Sequence, residues 1–473
     1  MIRQLIVSLD RLRLEPQALV LVVVVAGIYF SRLGDLTLRG EETRRARVAM
    51  EMLETGDWVV PREQGRLFPD RPPLGNWLIA LSMLITGSTG TVAVRLPTAL
   101  ATLATALVVY GYSRDFLSRN GALAAGLAYA TMGQILTLGM LAETEATLTV
   151  FVGASLLLWH LAYRRGVAAW KTWCLGYVLA ALAALAKGPQ GPIYFTATAA
   201  LYLAVKRDWR FLLSWSHLLG LAVGVSVVAA WQIPFSLAVD WPSVLQTWGH
   251  TSVARFDYSS LGPVLKHLVT FPCEIFGCLL PWSIWLVAFL NRDFRRTLGA
   301  AGDPALFLCI AIAVAFPSCW LAPQARGRYF MPLYPCFAPL VGIVIERAWS
   351  SATGGLATLW RRYLSCAAVG GAATAAAVVL ASTLPSFAIP ALRQSISFAV
   401  GYALIVLVAA MALWRARCSH SSYQAVVGIV ALAVFLGITF NGPILNDAIR
   451  RSEDIAGQVE AVKKRLPPDV RLV

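Results

Sequence analysis

Long apolar runs separated by short polar connections fill most of this 473-residue chain. An α-helix needs about 20 apolar residues to cross the hydrocarbon core of a bilayer, and a shorter run can cross where the bilayer is thinned. The pattern predicts an all-α polytopic membrane protein with about 13 transmembrane helices. The predicted spans are 17–33, 92–112, 121–138, 145–163, 172–187, 190–205, 211–232, 272–290, 305–322, 330–346, 364–384, 396–415 and 422–440.

One connection differs from the others, because residues 34–91 carry a dense mixture of charges between the first two spans. The segment opens with paired carboxylates, Glu41 and Glu42. It continues through a predicted amphipathic helix to an Asp-Arg-Pro-Pro sequence. Its last apolar run, 76–86, is too short to span and predicts a helix at the membrane interface. The loop therefore predicts a polar head held against the membrane.

Composition and charge support the membrane class and give it an orientation. The chain is 58% hydrophobic and 14% charged, with a mean hydropathy of +0.65; soluble domains carry roughly a quarter charged residues. With the N-terminus inside, the inner loops hold 19 Lys and Arg against 7 Asp and Glu, as the positive-inside rule requires. This distribution explains the net charge of +15 without a nucleic-acid partner, and it predicts an outer C-terminus.

In this topology, polar segments from distant parts of the chain reach the outer side together. Ionisable groups at membrane depth are costly and usually functional. Because the segments carry both signs of charge, they predict a site for an anionic group and a nucleophile. The segments are 34–91, 140–146, 186–191, 233–271 and 324–335.

Four carboxylates are the candidate catalytic groups. Glu41 and Glu42 are adjacent and do not share a helix face, which predicts separate roles. One can accept a proton from an attacking hydroxyl, and the other can hold a sugar hydroxyl or cap the helix. The alternative is that both only favour the helix dipole. Glu143 and Glu145 lie where an outer turn enters a span, and their alternative is a place at the membrane interface.

Four cations are the candidate phosphate ligands. Arg326 and Arg328 break the rule that short outer loops lack cations, which a bound phosphate would explain. The guanidinium of Arg71 matches phosphate geometry, whereas Lys187 is the only charge in its hairpin and has interfacial anchoring as its alternative. No cofactor is required by the sequence.

A divalent metal ion remains open as an addition to this site. Asp70 and His267 are weak candidate ligands, because a lone histidine without ligand spacing is a poor metal signal.

The order of these motifs resembles that of the bacterial GT-C glycosyltransferases, within the superfamily of lipid A aminoarabinose transferases and protein mannosyltransferases. The resemblance covers about residues 30–345. The matching stretches are the acidic pair followed by Thr43 and Arg44, EMLETGDWVVP, DRPPL, AETEATLTVF, AKGPQG, LPWS and RGRYFMPLYP.

The resemblance implies transfer of a sugar from a polyprenyl-phosphate donor at the periplasmic or exterior face of a bacterial inner (plasma) membrane. It implies Glu41 as the leading catalytic residue, Glu42 beside it, and Glu145 or Glu143 as a second acid. Arg71 stands where the family has Lys, and Glu stands at both acidic positions where the family usually has Asp. The implied donor-phosphate ligands are Arg71, Lys187, Arg326 and Arg328, and the implied substrate contacts are Arg44, Asp70 and Tyr329.

The favoured interpretation is a membrane glycosyltransferase that moves the sugar to a lipid, glycan or protein acceptor, as in lipid A modification. The alternative is a transporter or flippase of a lipid-linked or anionic substrate. Transporters tend to place ionisable residues near the bilayer midplane and to contain internal repeats, whereas here the charges gather on one face. A non-catalytic membrane assembly factor is a third class. Residues 1–345 are expected to form the catalytic region, 346–440 to add spans, and 441–473 to form a short outer segment.

Overall fold

The computed structural model describes residues 15–35, 37–253, 255–256, 258, 261–351, 354–384, 392, 394–417, 421–444 and 456–465. Helices dominate, and the one described sheet is a short hairpin near the N-terminus. The N-terminal elements are α1 (Pro16–Tyr29), α2 (Glu41–Thr55), β1 (Arg62–Glu63), β2 (Arg66–Leu67), α3 (Leu74–Thr86), α4 (Thr91–Ser113), α5 (Arg119–Ala130), α6 (Gly133–Leu138), α7 (Thr144–Arg164), α8 (Ala169–Lys187), α9 (Gln190–Lys206), α10 (Trp209–Leu212), α11 (Trp215–Ala238) and α12 (Trp241–Val253).

The second half of the chain is also helical. Short 3₁₀ turns at Val287–Leu290, Gly299–Ala301 and Gly327–Leu333 connect its helices, and a π-helical turn follows at Phe440–Ile444. The helices are α13 (Leu261–Cys278), α14 (Ser283–Leu286), α15 (Arg292–Arg296), α16 (Gly302–Trp320), α17 (Tyr334–Ser350), α18 (Gly355–Thr383), α19 (Ile396–Ala416), α20 (Ser422–Thr439) and α21 (Ala456–Lys463).

The described helices confirm the all-α polytopic prediction. Nine of them, with adjoining turns, are long and apolar enough to cross a membrane, and the bent pair α13–α14 makes a tenth. The predicted spans 17–33, 121–138 and 190–205 fall on α1, on α5 with α6, and on α9, whose individual helices are shorter than 18 residues. A count of 13 is compatible with these helices. The chain is a multi-pass membrane protein.

The charged segment after α1 folds into a compact unit that we name the outer head. The side of the molecule on which it lies is the predicted outer side, and the opposite side is the predicted inner side. Helix α2 follows Gly40 (φ +54°) and ends at Gly56 (φ +73°), left-handed positions that favour glycine. The hairpin β1–β2 closes through Gln64 and Gly65, both with positive φ, as a tight two-residue turn requires. The predicted amphipathic helix and interfacial helix correspond to α2 and α3.

The outer head is attached to the membrane helices through an apolar face of α2. Its alanines Ala46 and Ala49 pack on Ile79 and Met83 of α3 and on Val94 of α4. Because small side chains let these helices approach closely, the polar N-terminus of α2 is held directly above the outer ends of the spans.

The bent pair α13–α14 changes direction by 112° and lies against the segment that precedes α17. Trp320 Nε1 donates to Leu268 O at 2.8 Å, and Gln324 N donates to Arg255 O at 3.2 Å. The first bond joins the end of α16 to α13, and the second joins the loop before α13 to the loop before α17.

Helices α18, α19 and α20 pack on one another and join the rest through α1, α5 and α17. Asn441, just beyond α20, donates from Nδ2 to Ile28 O at 2.6 Å and so holds the end of α20 to α1. Most of the predicted outer segment 441–473, namely 445–455 and 466–473, lies outside the described residues.

Candidate active site

The outer end of α7 carries two of the predicted catalytic carboxylates. Glu143 directly precedes the helix and Glu145 lies in its first turn, where the helix dipole favours negative charge. Glu145 is 2% exposed, and its Oε1 accepts a hydrogen bond from Lys187 Nζ at 2.6 Å. Lys187 is the last residue of α8, and Gly188 (φ +120°) then turns the chain into α9. Two predicted site residues thus form a buried ion pair.

A second ion pair comes from the segment before α17. Arg328 Nη1 donates to Glu143 Oε2 at 2.9 Å, and Arg328 Nε lies 3.9 Å from Glu145 Oε1. The turn that carries Arg328 begins at Gly327, whose N donates to Glu274 Oε1 at 2.6 Å. A Cβ at Gly327 would lie 3.0 Å from that same oxygen, so glycine permits the close approach. Helix α13 therefore positions Arg328 through the backbone.

The ring of Tyr329 separates three cations. Its centroid lies 5.0 Å from Lys187 Nζ, 5.4 Å from the guanidinium carbon of Arg328 and 4.1 Å from that of Arg255. Cations near an aromatic face are attracted by the ring quadrupole, which offsets part of their mutual repulsion. Arg255, predicted only as a charged residue of the outer loop, joins the cluster.

The Asp-Arg-Pro-Pro sequence brings the outer head to the same place. Arg71 Nη1 donates to Thr144 Oγ1, at the start of α7, and Arg71 Nε lies 3.3 Å from Asp70 Oδ2. That same carboxylate oxygen accepts a hydrogen bond from Arg45 Nη2 at 2.9 Å. The two prolines that follow Arg71 restrict the backbone before α3. Asp70 thus holds two guanidinium groups beside the carboxylates of α7.

The adjacent acids Glu41 and Glu42 have different surroundings. The Glu41 side chain is 39% exposed and accepts from Arg44 Nη1 at 3.1 Å. Glu42 is fully buried and accepts from Arg95 Nε at 2.8 Å, Arg95 Nη2 at 2.7 Å and Ala142 N at 2.8 Å. Solvent and an incoming molecule can therefore reach Glu41, whereas the oxygens of Glu42 are occupied by the protein.

Three predicted residues do not join the central cluster. Arg326 is exposed and forms no side-chain hydrogen bond or ion pair with any part of the chain that the structure describes. Arg44 lies on the outer head between Glu41 and Glu63. His267 Nε2 is 3.1 Å from Cys319 O.

The weak metal hypothesis for Asp70 and His267 finds no support in this geometry. Asp70 is engaged by two guanidinium groups, and His267 is engaged by a backbone carbonyl. Within the described ranges, no group of three or more His, Cys, Asp or Glu side chains is arranged to hold a metal ion.

Positive charge exceeds negative charge in the cluster. Burial raises the pKa of Glu143 above its usual range, and the neighbouring Glu145 raises it further, while Arg328 and Lys187 oppose the shift. A surplus of cations around buried carboxylates suits an anionic ligand that brings its own charge. Among the described residues, the five cations are Arg45, Arg71, Lys187, Arg255 and Arg328, and the four carboxylates are Glu41, Asp70, Glu143 and Glu145.

Sequence reasoning missed two residues, Arg45 and Arg95, and gave Arg255 no role. Arg95 is a lone cation inside a predicted span, a placement that is costly unless the charge is paired, so its position was an available signal. Arg45 lies among three arginines of α2, and nothing in that run separates the 2% exposed Arg45 from its exposed neighbour Arg44.

Taken together, the described elements form a polytopic membrane protein with charged groups of both signs gathered at one end of its spans. The family model for dolichyl-phosphate-mannose-protein mannosyltransferase matches residues 70–233. The chain superposes on the crystal structure of ArnT from Cupriavidus metallidurans bound to undecaprenyl phosphate with a TM-score of 0.68 at 22% identity, covering 96% of this chain and 81% of that one.

Curated sequences give the same result. Two relatives are named undecaprenyl phosphate-alpha-4-amino-4-deoxy-L-arabinose arabinosyl transferase. The one from Edwardsiella ictaluri is 28% identical over 319 residues, covering 65% of this chain and 54% of its own length. The one from Pseudomonas aeruginosa PAO1 is 29% identical over 312 residues, covering 63% and 53%. The chain thus spans about half the length of the curated relatives it matches.

These findings confirm the predicted resemblance to GT-C glycosyltransferases of the aminoarabinose transferase type, and they lend no support to a transporter. With these bacterial relatives and its multiple apolar helices, the chain is a multi-pass protein of the bacterial inner membrane type.

Proposed function

We propose that this chain is a membrane glycosyltransferase that moves a sugar from a polyprenyl-phosphate donor to a lipid, glycan or protein acceptor on the periplasmic face. The observation that carries the proposal is the surplus of cations around Tyr329 and Thr144, beside the carboxylates of α7. The names of the curated relatives support an undecaprenyl-phosphate-linked aminosugar as the first donor to test.

The donor phosphate is expected among Arg71, Lys187, Arg255 and Arg328. In the transfer step, the bond between the anomeric carbon and the phosphate oxygen breaks, and its electron pair stays on that oxygen. The phosphate gains a negative charge as it leaves. Preorganised cations in a partly water-excluded site stabilise charge that develops in the transition state. This is the role we assign to the cluster.

Glu41 is the proposed catalytic carboxylate for a hydroxyl acceptor. A new bond forms between the acceptor oxygen and the anomeric carbon, and Glu41 takes the proton that the oxygen loses. Its exposure allows an acceptor to approach, and Arg44 beside it offers a contact for that acceptor. If the acceptor is itself a phosphate, no proton has to be removed, and Glu41 positions the acceptor.

The periplasmic orientation rests on the distribution of basic residues and can be tested by labelling. A cysteine at the exposed position Glu54 of α2 should react with an impermeant reagent in intact cells. A cysteine at exposed Val167, between α7 and α8, should react only after permeabilisation. The same background with its native cysteines serves as the blank. The opposite labelling pattern would overturn the orientation.

The proposed division of the chain places catalysis in residues 1–345. All the site residues named above fall within that range. The spans of 346–440 then extend the membrane domain, and 441–473 form the outer C-terminal segment.

The direct test of function uses purified protein with undecaprenyl-phosphate aminoarabinose and other polyprenyl-phosphate sugars. Candidate acceptors include lipid A, and products are identified by mass spectrometry. Arg328→Ala should reduce transfer, whereas Arg326→Ala, an exposed cation two residues away, should not. A sugar-bearing product that wild type forms, and that Arg328→Ala forms more slowly, supports the proposal. Intact donors with every acceptor, from folded protein, would contradict it.

A further inference from the structure

The buried pair of Glu42 and Arg95 lies next to the proposed catalytic carboxylate. Arg95 is 1% exposed and sits in the second turn of α4. Its guanidinium binds both oxygens of Glu42 and donates to Leu33 O at 3.1 Å and Thr37 O at 2.9 Å. Arg95 therefore binds both the segment that follows α1 and the first turn of α2.

The carboxylate of Glu42 also accepts hydrogen bonds from two backbone amides. Its Oε1 accepts from Ala142 N at 2.8 Å, and its Oε2 accepts from Arg39 N at 3.2 Å. Ala142 directly precedes Glu143, which begins the run that carries the acids of α7. Glu42 and Arg95 therefore join the segment next to Glu41 with the segment that contains Glu143.

We propose that Glu42 and Arg95 are positioning residues, which set the place of Glu41 relative to the donor-phosphate cluster without touching substrate. The inference rests on the proposed function, since it assigns roles within that reaction. The two adjacent acids then have different roles: Glu41 is the catalytic carboxylate, and Glu42 holds the segment that carries it.

The chemical nature of the pair favours this role over a purely stabilising one. A buried ion pair is often no more stabilising than well-packed apolar residues of similar volume, because both charges lose their hydration. A guanidinium fork, however, fixes the directions of several hydrogen bonds at once. Arg95 uses that geometry to orient one carboxylate and two backbone carbonyls. Apolar contacts in the same place would not fix these orientations.

The pair is best tested by removing both charges together. Removing one partner would leave an uncompensated buried charge and endanger folding. The double variant Glu42→Gln/Arg95→Met avoids this, and Arg95→Lys keeps the charge while losing the fork. A matched control is Glu54→Gln, an exposed carboxylate near the far end of α2.

The readouts separate positioning from folding. In the double variant we expect kcat to fall about tenfold or more, the rate change for a misplaced reacting group. The affinity for undecaprenyl phosphate alone should stay unchanged, because the cation cluster is intact. Arg95→Lys should recover part of kcat. The control should match wild type in both measurements.

A measurement independent of activity completes the test. Amide hydrogen exchange should accelerate at residues 37–43 and 139–146 in the double variant, while the rest of the chain stays protected. Unchanged exchange at both segments would overturn the inference. So would a parallel fall in kcat, phosphate affinity and melting temperature, which indicates general destabilisation. A wild-type enzyme without transfer activity contradicts the proposed function instead, and the exchange result still decides the positioning.

Discussion

Two charge clusters lie at opposite ends of α7, and they differ in burial and in how completely their charges are matched. At the inner end, Asp303 accepts from Lys206 Nζ at 2.9 Å and from Tyr202 OH at 3.0 Å, and it lies 3.5 Å from Arg164 Nε. His160 stacks on Phe307 beside it, with ring centroids 3.9 Å apart. Each of these groups points at a partner on a neighbouring helix.

The outer cluster is built differently. Among the residues that the structure describes, its cations outnumber its carboxylates, and the guanidinium of Arg255 lies over the ring of Tyr329. In the same cluster, Glu41 is accessible from outside. The comparison shows that a cluster of charges alone does not identify a site. What distinguishes the outer end, among the described residues, is an excess of positive charge that an anionic ligand would balance. Four predictions test this difference, in order of their expected effect on transfer.

The largest effect is expected for Glu41→Gln. The substitution keeps the size of the side chain and removes its ability to take a proton, and general-base assistance is worth about 10²–10⁴ in rate. Folding should survive, since the side chain is partly exposed. The measurement is kcat with a hydroxyl acceptor at saturating donor.

The control for this experiment is Glu54→Gln in the same helix, which should turn over normally. Glu145→Gln should also impair transfer, because it disrupts the pair with Lys187. Normal kcat in both Glu41→Gln and Glu145→Gln would show that the two acids have only a structural role.

The second effect concerns the donor phosphate. Arg71→Ala should lower kcat/KM for the sugar donor by about 10²-fold. This is the usual loss when one hydrogen-bond donor is removed from a site where negative charge develops. Asp70 retains Arg45 as a partner, so no carboxylate is left unpaired. Arg71→Lys should restore much of the rate, since the charge remains. Kinetics against a purified polyprenyl-phosphate sugar in detergent provide the measurement.

A matched surface cation makes the Arg71 result specific. Arg66→Ala removes an exposed arginine from the same outer head and should leave donor kinetics unchanged. Equal losses in the two variants would point to the charge of the whole head, and unchanged kinetics in both would place the phosphate elsewhere.

The sequence located most of the described membrane helices and pointed to most residues of the outer cluster. The predicted span 272–290, however, contains the bend between α13 and α14. Apolar runs locate helices because every backbone polar group inside a bilayer must be bonded within the segment. Glu143, Glu145, Lys187 and Arg328 stood out because charge is rare at such positions. Their pairing, however, depends on how α7, α8 and the turn before α17 meet in space, which no local pattern contains.

The same limit explains why the sequence did not separate neighbouring residues of the same type. Arg326 and Arg328 are two positions apart and chemically alike, yet the backbone of the 3₁₀ turn sends one outward and the other to Glu143. Glu41 and Glu42 differ in the same way. Their separation depends on Arg95, 53 residues further along the chain, which has no motif of its own.

A smaller effect is expected in the pH dependence. Burial raises the pKa of Glu143, so this carboxyl is protonated over a wider acid range than an ordinary glutamic acid. Below that pKa, its pair with Arg328 is lost, and transfer should fall as pH decreases, by about tenfold per unit if the ionised form is required. Glu143→Gln should abolish this acid limb or move it to lower pH. An identical kcat–pH profile in wild type and variant would show that the acid limb does not arise from Glu143.

The smallest effect on transfer is expected at the inner cluster. Asp303→Asn keeps an acceptor for Tyr202 but removes the charge that Lys206 and Arg164 share, so helices α7, α9 and α16 lose part of their attachment. The partners are partly exposed to solvent, which screens them and limits the loss. The melting temperature should therefore fall, while kcat and the donor KM per folded molecule stay at the wild-type values. Transfer should be measured below the new transition, with the folded fraction determined in the same samples. A clear loss of kcat in fully folded Asp303→Asn would show that the inner cluster also serves catalysis, and the contrast between the two ends of α7 would no longer hold.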